Sequence, residues 1–124
     1  MKKISKYSMG TGDRFGMQGK AQLQAIIDAN KAGIPIVPVW NKSYREHQTV
    51  KTTPVSVRKE ADNAVEALGW KGEYYVDADH INLNNVDEFL DSSDFFTIDV
   101  ADYIGQQADE NDIENFISKN KKYL

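Results

Sequence analysis

Apolar residues recur along this chain in two rhythms, and together they predict four strand–helix units. Leu23, Ile26 and Ile27, with Ala21, Ala25 and Ala29, repeat at the spacing of one helical face. They predict a helix from about Gln18 to Lys31, stopped by Gly33 and Pro35. A short strand around Lys6–Met9 precedes it and runs into the glycine-rich turn Gly10–Gly16. Ile34–Trp40 is nearly continuous in apolar residues, as in a parallel strand covered on both faces, although Pro38 weighs against a fully paired central position. A polar loop, Asn41–Thr52, follows. Thr53-Pro54 then reads as an N-cap and a first-turn proline, opening a helix that carries Val57, Ala61, Ala64, Val65 and Leu68 and ends at Gly69. Glu73–Val76 is the third predicted strand. Asn85 with Glu88 predicts a capped short helix bearing Val86, Phe89 and Leu90. Phe95–Val100 is the fourth strand. A last helix begins near Asp109 and is expected to bury Ile113, Phe116 and Ile117, with Asp109, Glu110 and Asp112 at its start and lysines at its end, as the helix dipole favours.

Strict alternation of strands and helices implies parallel pairing with right-handed crossovers, an α/β fold. An open doubly wound sheet and a TIM-type (β/α)8 barrel both satisfy it. Eight barrel units take about 250 residues, so four units would form half a barrel. Residues 1–124 are therefore expected to be a single N-terminal half-barrel segment of a longer, truncated or cleaved enzyme. Cut after its fourth strand, such a sheet has open edges, and a homo-oligomer formed through them is expected.

Composition narrows the function. A hydrophobic content of 40% supports a packed core and argues against disorder. The net charge is −4 and the basic residues are scattered apart from Lys119, Lys121 and Lys122, which argues against a sequence-independent grip on nucleic acid. There is no cysteine, so any metal site must draw on His, Asp, Glu or backbone oxygen. The opening MKKISKYSMGTGD lacks the apolar stretch of a secretory signal, and no segment approaches the ~18 apolar residues of a membrane span. A cytoplasmic protein with no membrane association is the expectation.

The chemistry gathers where strands end. Gly12, Asp13 and Arg14 follow the first strand, and Asn41, Lys42, Arg45, Glu46 and His47 the second. Asp77, Asp79 and His80 follow the third; the fourth holds Asp99 and leads to Asp102. Ligands of parallel α/β sheets bind at those carboxyl ends, so the four ends together read as an active-site rim. In Asp77–His80, alternation puts Asp77 and Asp79 on one side and Ala78 and His80 on the other. An Asp beside a His suits a divalent ion such as Zn, Mn, Fe or Ni together with a general base; the bland alternative is a turn-capping Asp and a surface His. Arg45, with His47 nearby, suits an anionic substrate, the guanidinium gripping a carboxylate; a solvated charged loop is the alternative. Lys42 is a further carboxylate anchor, but nothing marks it as a Schiff-base lysine. Gly10, Gly12 and Gly16 resemble a phosphate-cradling loop, but Phe15 and Arg14 stand where the dinucleotide and P-loop fingerprints require glycine. The segment reads instead as a turn presenting Asp13 and Arg14, the arginine either binding an anion or pairing with a local acid. Asp99, inside FFTIDV, serves either the site or a cap. Trp40, Trp70, Tyr74 and Tyr75 read as packing.

The segments MGTGDRFG, PVWNKSYREH, VDADHI and FFTIDVADYI, in this order, resemble the start of the tagaturonate epimerase family from about Tyr7 to Gly105. The resemblance implies a metal-dependent isomerase that interconverts the keto-uronates D-tagaturonate and D-fructuronate, small anionic sugar acids. It implies His80 as a metal ligand and Asp79 as the catalytic base; the strand-end reading adds Asp13, Arg14, Asn41, Lys42, Arg45, His47 and Asp99 as the candidates around the substrate. The family's other metal histidines and its proton donor would lie beyond Leu124, so this chain alone is expected to be inactive. The inverted carbon is not adjacent to the ketone, which makes metal-assisted retro-aldol cleavage, rotation and re-addition one route, with Asp79 as base. Two rival readings stay open: another sugar aldolase or isomerase on the same barrel, and a non-catalytic α/β binding or assembly module.

Overall fold

A computed structural model describes residues 3–124. Four strands, β1 (Ser8–Gly12), β2 (Val37–Ser43), β3 (Tyr75–Ile81) and β4 (Phe95–Ile98), form one parallel sheet in the order β1-β2-β3-β4. Helices α1 (Gly19–Lys31), α2 (Tyr44–Val50) and α3 (Pro54–Leu68) fill the first two crossovers, a 3-10 turn at Val86–Glu88 lies in the third, and α4 (Glu110–Asn120) follows the sheet. This is an α/β fold.

The core follows from the predicted periodicity. Leu23 and Ile26 of α1, Val57, Ala61 and Ala64 of α3, Trp40 of β2 and Val76 of β3 form one buried cluster. Ala61 and Ala64, with almost no side chain to keep the elements apart, let α3 seat against the sheet and α1. Each large buried side chain contributes ~1.5–3 kcal/mol of transfer free energy. Because strand residues alternate, Trp40 and Val76 define a helix-packed face, while Val39, Asn41, Tyr75 and Asp77 point to the opposite, open face.

All four strands start later than the pattern predicted or end elsewhere. β1 is Ser8–Gly12, not Lys6–Met9, because its ladder to β2 runs from Ser8↔Val37 to Gly12↔Asn41. β2 extends to Ser43, and Pro38 is tolerated because β2 pairs with β3 only from Val39 onward. The predicted loop Asn41–Thr52 is instead strand and helix. Ser43 Oγ accepts from the Glu46 backbone N–H while the Glu46 carboxylate accepts from the Ser43 N–H, a capping box that starts α2. β3 runs through Ile81, so Asp77, Asp79 and His80 lie within the strand. β4 stops at Ile98, which leaves Asp99 just outside it. Asn85 turns its side chain back to accept from the Asn82 N–H instead of capping the 3-10 turn. Asp109 does cap α4, accepting from Asn111 and Asp112. The expected burial on α4 is absent: Ile113, Phe116 and Ile117 are 45%, 62% and 45% exposed, since the sheet and the other helices pack little against α4 among the described residues.

Candidate functional site

The irregular point of the sheet is at its carboxyl end. β3 pairs with β4 through Asp77↔Phe95 and Ala78↔Phe96, and then Ile81 meets Ile98, so one extra residue of β3 is squeezed between. His80 takes up this bulge in the left-handed region, φ 53°. Bulges re-aim side chains and recur beside active sites. Here the bulge turns His80 outward, 62% exposed, while Asp79 stays largely covered. The two side chains meet, Asp79 Oδ1 to His80 Nδ1, at 2.7 Å. With the Nδ1 proton held by the carboxylate, Nε2 presents its lone pair outward, the arrangement of a metal-ligating histidine with its orienting acid.

His80, Arg45 and Asp99 line one cleft of about 240 Å³ with Ser43, Tyr44, Asn82 and Asn85. Three predicted residues from the ends of β2, β3 and β4 are thus brought together. Asp99 also caps the turn after β4, accepting from the Ala101 N–H, and its own N–H donates to Ile81 O. Arg45 makes no ion pair among the described residues. Arg14 differs: its Nε lies 3.3 Å from Glu46 Oε1. Burial works against the Glu46 carboxylate, but the Ser43 N–H and Arg14 outweigh it and hold its pKa below the usual value.

The other predicted residues have separate surroundings. Asp13 accepts from the backbone N–H groups of Phe15, Gly16, Met17 and Gln18, so it occupies the start of α1 itself. Burial opposes its ionisation, yet the Gln18 and Met17 N–H groups and the neighbouring Glu60 carry its pKa downward. Glu60 takes the Gly19 N–H at 2.8 Å, and a Cβ on Gly19 would sit 2.8 Å from Glu60 Cγ, which is why glycine stands there. Burial, then the charge of Asp13, push Glu60 upward. Two carboxylates thus fill the helix N-terminus that a phosphate would need. Lys42, 2% exposed, lies on the helix-packed face, where its charge bears on both Glu60 and His47. His47 is equally buried, its ring tilted against Phe89 and bonded to Thr52. Neither joins the cleft.

Asn41 lies on the open face, and its Cα register partner on β3 is Asp77. Asp77, 8% exposed, accepts the Thr97 hydroxyl at 2.8 and 3.0 Å, and burial followed by the Asp79 charge raises its pKa. Its position in the alternation of β3 was legible, its partner on β4 was not. Glu60 carried no signal, being one acid on a solvated-looking helix 41 residues from Gly19. The α2 capping box could have been found from Ser43-x-x-Glu46.

No group of three metal-ligating side chains occurs among the described residues. One histidine with its orienting carboxylate fits a metal as a single ligand of a larger set. No helix among the described residues is long and apolar enough to cross a membrane.

A parallel sheet whose carboxyl rim gathers an Asp–His pair, an arginine with no ion pair among the described residues and a further carboxylate defines an α/β protein with a candidate ligand site at its strand ends. The sequence matches the tagaturonate epimerase family, UxaE, over residues 1–123, and the chain belongs to that family. No curated protein matches it. Among solved structures, the native fructuronate-tagaturonate epimerase UxaE from Cohnella laeviribosi is similar, with 25% identity and a TM-score of 0.70 over 91% of this chain. Its form complexed with two glycerol molecules gives 0.71 at the same identity. The chain spans 23% of the length of those structures.

Proposed function

We propose that this chain supplies the first four β/α units of a barrel-type keto-uronate epimerase that interconverts D-tagaturonate and D-fructuronate. The observation that carries the reading is the Asp79–His80 pair, turned out of the sheet by a bulge beside Arg45 and Asp99. His80 Nε2 would hold a divalent cation, with Zn, Mn, Fe or Ni suited to imidazole and carboxylate. When bound, the ion supplies Lewis-acid stabilisation of oxygen charge. Asp79 keeps its second oxygen free of hydrogen bonds among the described residues and takes the proton of the hydroxyl on the inverting carbon. The bond from that carbon to the carbon beside the ketone breaks, leaving an aldehyde and an enediolate fragment. The aldehyde rotates, the bond re-forms on its other face, and the proton returns. Arg45, exposed and unpaired, grips the substrate carboxylate.

The reading is tested by complementation. The chain is mixed with the segment of the Cohnella laeviribosi enzyme that lies outside its match, with a divalent ion, and D-fructuronate formed from D-tagaturonate is followed. The chain alone is expected to show no turnover, the mixture measurable turnover, and mixtures with His80→Ala or Asp79→Asn at least about a hundredfold less. Wild-type turnover with either variant would overturn the assignment.

A further inference from the structure

The cleft leaves unexplained a row of groups one step down the open face. Gly12, Asn41 and Asp77 are successive register partners on β1, β2 and β3, so they stand side by side across the sheet. Two interstrand spacings span ~9.6 Å, the scale of an extended six-carbon acid.

Three observations concern what this row faces. Asn41 Oδ1 is buried yet has no hydrogen-bond donor among the described residues. Such an orphan acceptor costs ~1–3 kcal/mol unless something outside the chain supplies a donor. Asp77 takes a single hydroxyl proton, shared between its two oxygens, together with the Thr97 backbone N–H, which leaves acceptor positions of the carboxyl open. Gly10 and Gly12 lie beside them without need: neither has a positive φ, and a Cβ on either would meet only the Asn41 side chain, at 3.8–3.9 Å, an ordinary contact. Neither backbone strain nor a clash requires glycine at these two positions, whose bare backbone gives the Asn41 side chain room to lie over them.

We infer that Asn41 and Asp77 form a hydroxyl-binding floor next to the Asp79–His80 pair, and that Gly10 and Gly12 leave the Asn41 amide room to turn toward it, for the consecutive hydroxyls of an open-chain polyhydroxy acid. The inference rests on the keto-uronate reading and assigns its specificity: Arg45 takes the carboxylate at the rim, and the floor takes the hydroxyls. A carboxylate without hydroxyls then reaches the rim but not the floor.

The test is a 15N NMR titration of the intact chain with D-tagaturonate and, separately, with propionate, which carries the carboxylate alone. Tagaturonate is expected to move the amide signals of Gly12, Asn41 and Asp77 together with those of Arg45 and His80, and propionate only the latter pair. Gly12→Val, a substitution that suits a strand, and Asp77→Asn are each expected to weaken tagaturonate binding at least about tenfold with an unchanged thermal midpoint. Tagaturonate signals confined to Arg45 and His80 would overturn the floor and leave the keto-uronate reading standing. No movement in either region would overturn both. Wild-type affinity in both variants would overturn the floor irrespective of the spectra.

Discussion

His47 makes the stability of this chain acid-sensitive, through a group that lies outside the cleft. Its ring is 2% exposed, its centroid is 5.9 Å from that of Phe89, Nδ1 is 2.9 Å from Thr52 Oγ1, and Nε2 is buried without a partner among the described residues. Burial, then the charge of Lys42, lower its pKa from 6.5 to about 4, with Glu46 opposing. The unfolded chain therefore takes up this proton near pH 6.5 and the folded chain only near pH 4, so acid favours unfolding. The contribution of His47 is intact above pH ~6.5 and is lost as pH falls toward ~4. At ~1.36 kcal/mol per unit, the full loss is about 3 kcal/mol, of which about 2 falls between pH 7 and pH 5.

The perturbation is His47→Gln, which keeps an amide for Thr52 and does not titrate. Urea unfolding of both proteins at pH 7 and pH 5 gives four free energies. Packing loss makes the variant less stable at pH 7 by ~1–2 kcal/mol. At pH 5 the gap should shrink by about 2 kcal/mol and close or reverse. His80 and every carboxylate are common to both proteins, so their titration cancels in the comparison. A gap that stays constant within about 0.5 kcal/mol would refute a neutral, buried His47.

Three further outcomes are expected. Ser43→Ala removes the Oγ acceptor of the α2 capping box and should cost about 1 kcal/mol in urea unfolding, with helix signal lost first around Tyr44–Val50. Arg58 donates to Ser92 O at 3.0 Å and to Asp94 Oδ2 at 2.6 Å while Asp94 also holds the Val76 N–H, so Arg58→Ala should lower stability by about 2 kcal/mol. His80→Gly relieves the left-handed backbone of an exposed side chain and should raise the thermal midpoint, gaining about 1 kcal/mol, while abolishing turnover in the complemented mixture.

The elements were legible where periodicity was long. The α1 and α3 stripes that name Leu23, Ile26, Val57, Ala61 and Ala64 are the stripes that pack. Strand ends were not legible, because apolar runs mark where a strand is covered and not where its ladder closes. β2 and β3 continue through Asn41–Ser43 and Asp77–His80 because backbone pairing accepts polar residues as readily as apolar ones. Ile113, Phe116 and Ile117 show the opposite limit: an amphipathic stripe states that a helix can bury a face, not that a partner is within reach. The rim itself was legible, since it needs only the rule that parallel strands share one carboxyl end. Which charges serve the chain's own backbone was not, because Asp13 with Glu60 and Arg14 with Glu46 become pairs only once α1, α2 and α3 are folded around β2.

That division separates the two faces of the sheet. On the helix-packed side, Asp13 and Glu60 are used up on the first turn of α1, and Lys42 lies buried among them; this end of the sheet is closed to a phosphate although its glycines resemble a phosphate loop. At the rim, Arg14 pairs with Glu46, while Arg45 makes no ion pair among the described residues and is open to an anion. On the open side, Asn41 retains an unmet acceptor, and Asp77 and Asp79 retain oxygens that the described chain does not fill. A carboxylate at one end and hydroxyls along the body are what the proposed keto-uronate reading would place against this remainder. On the keto-uronate proposal, the first turn of α1, where Asp13 and Glu60 spend their hydrogen bonds, lies away from the proposed floor and takes no part in binding.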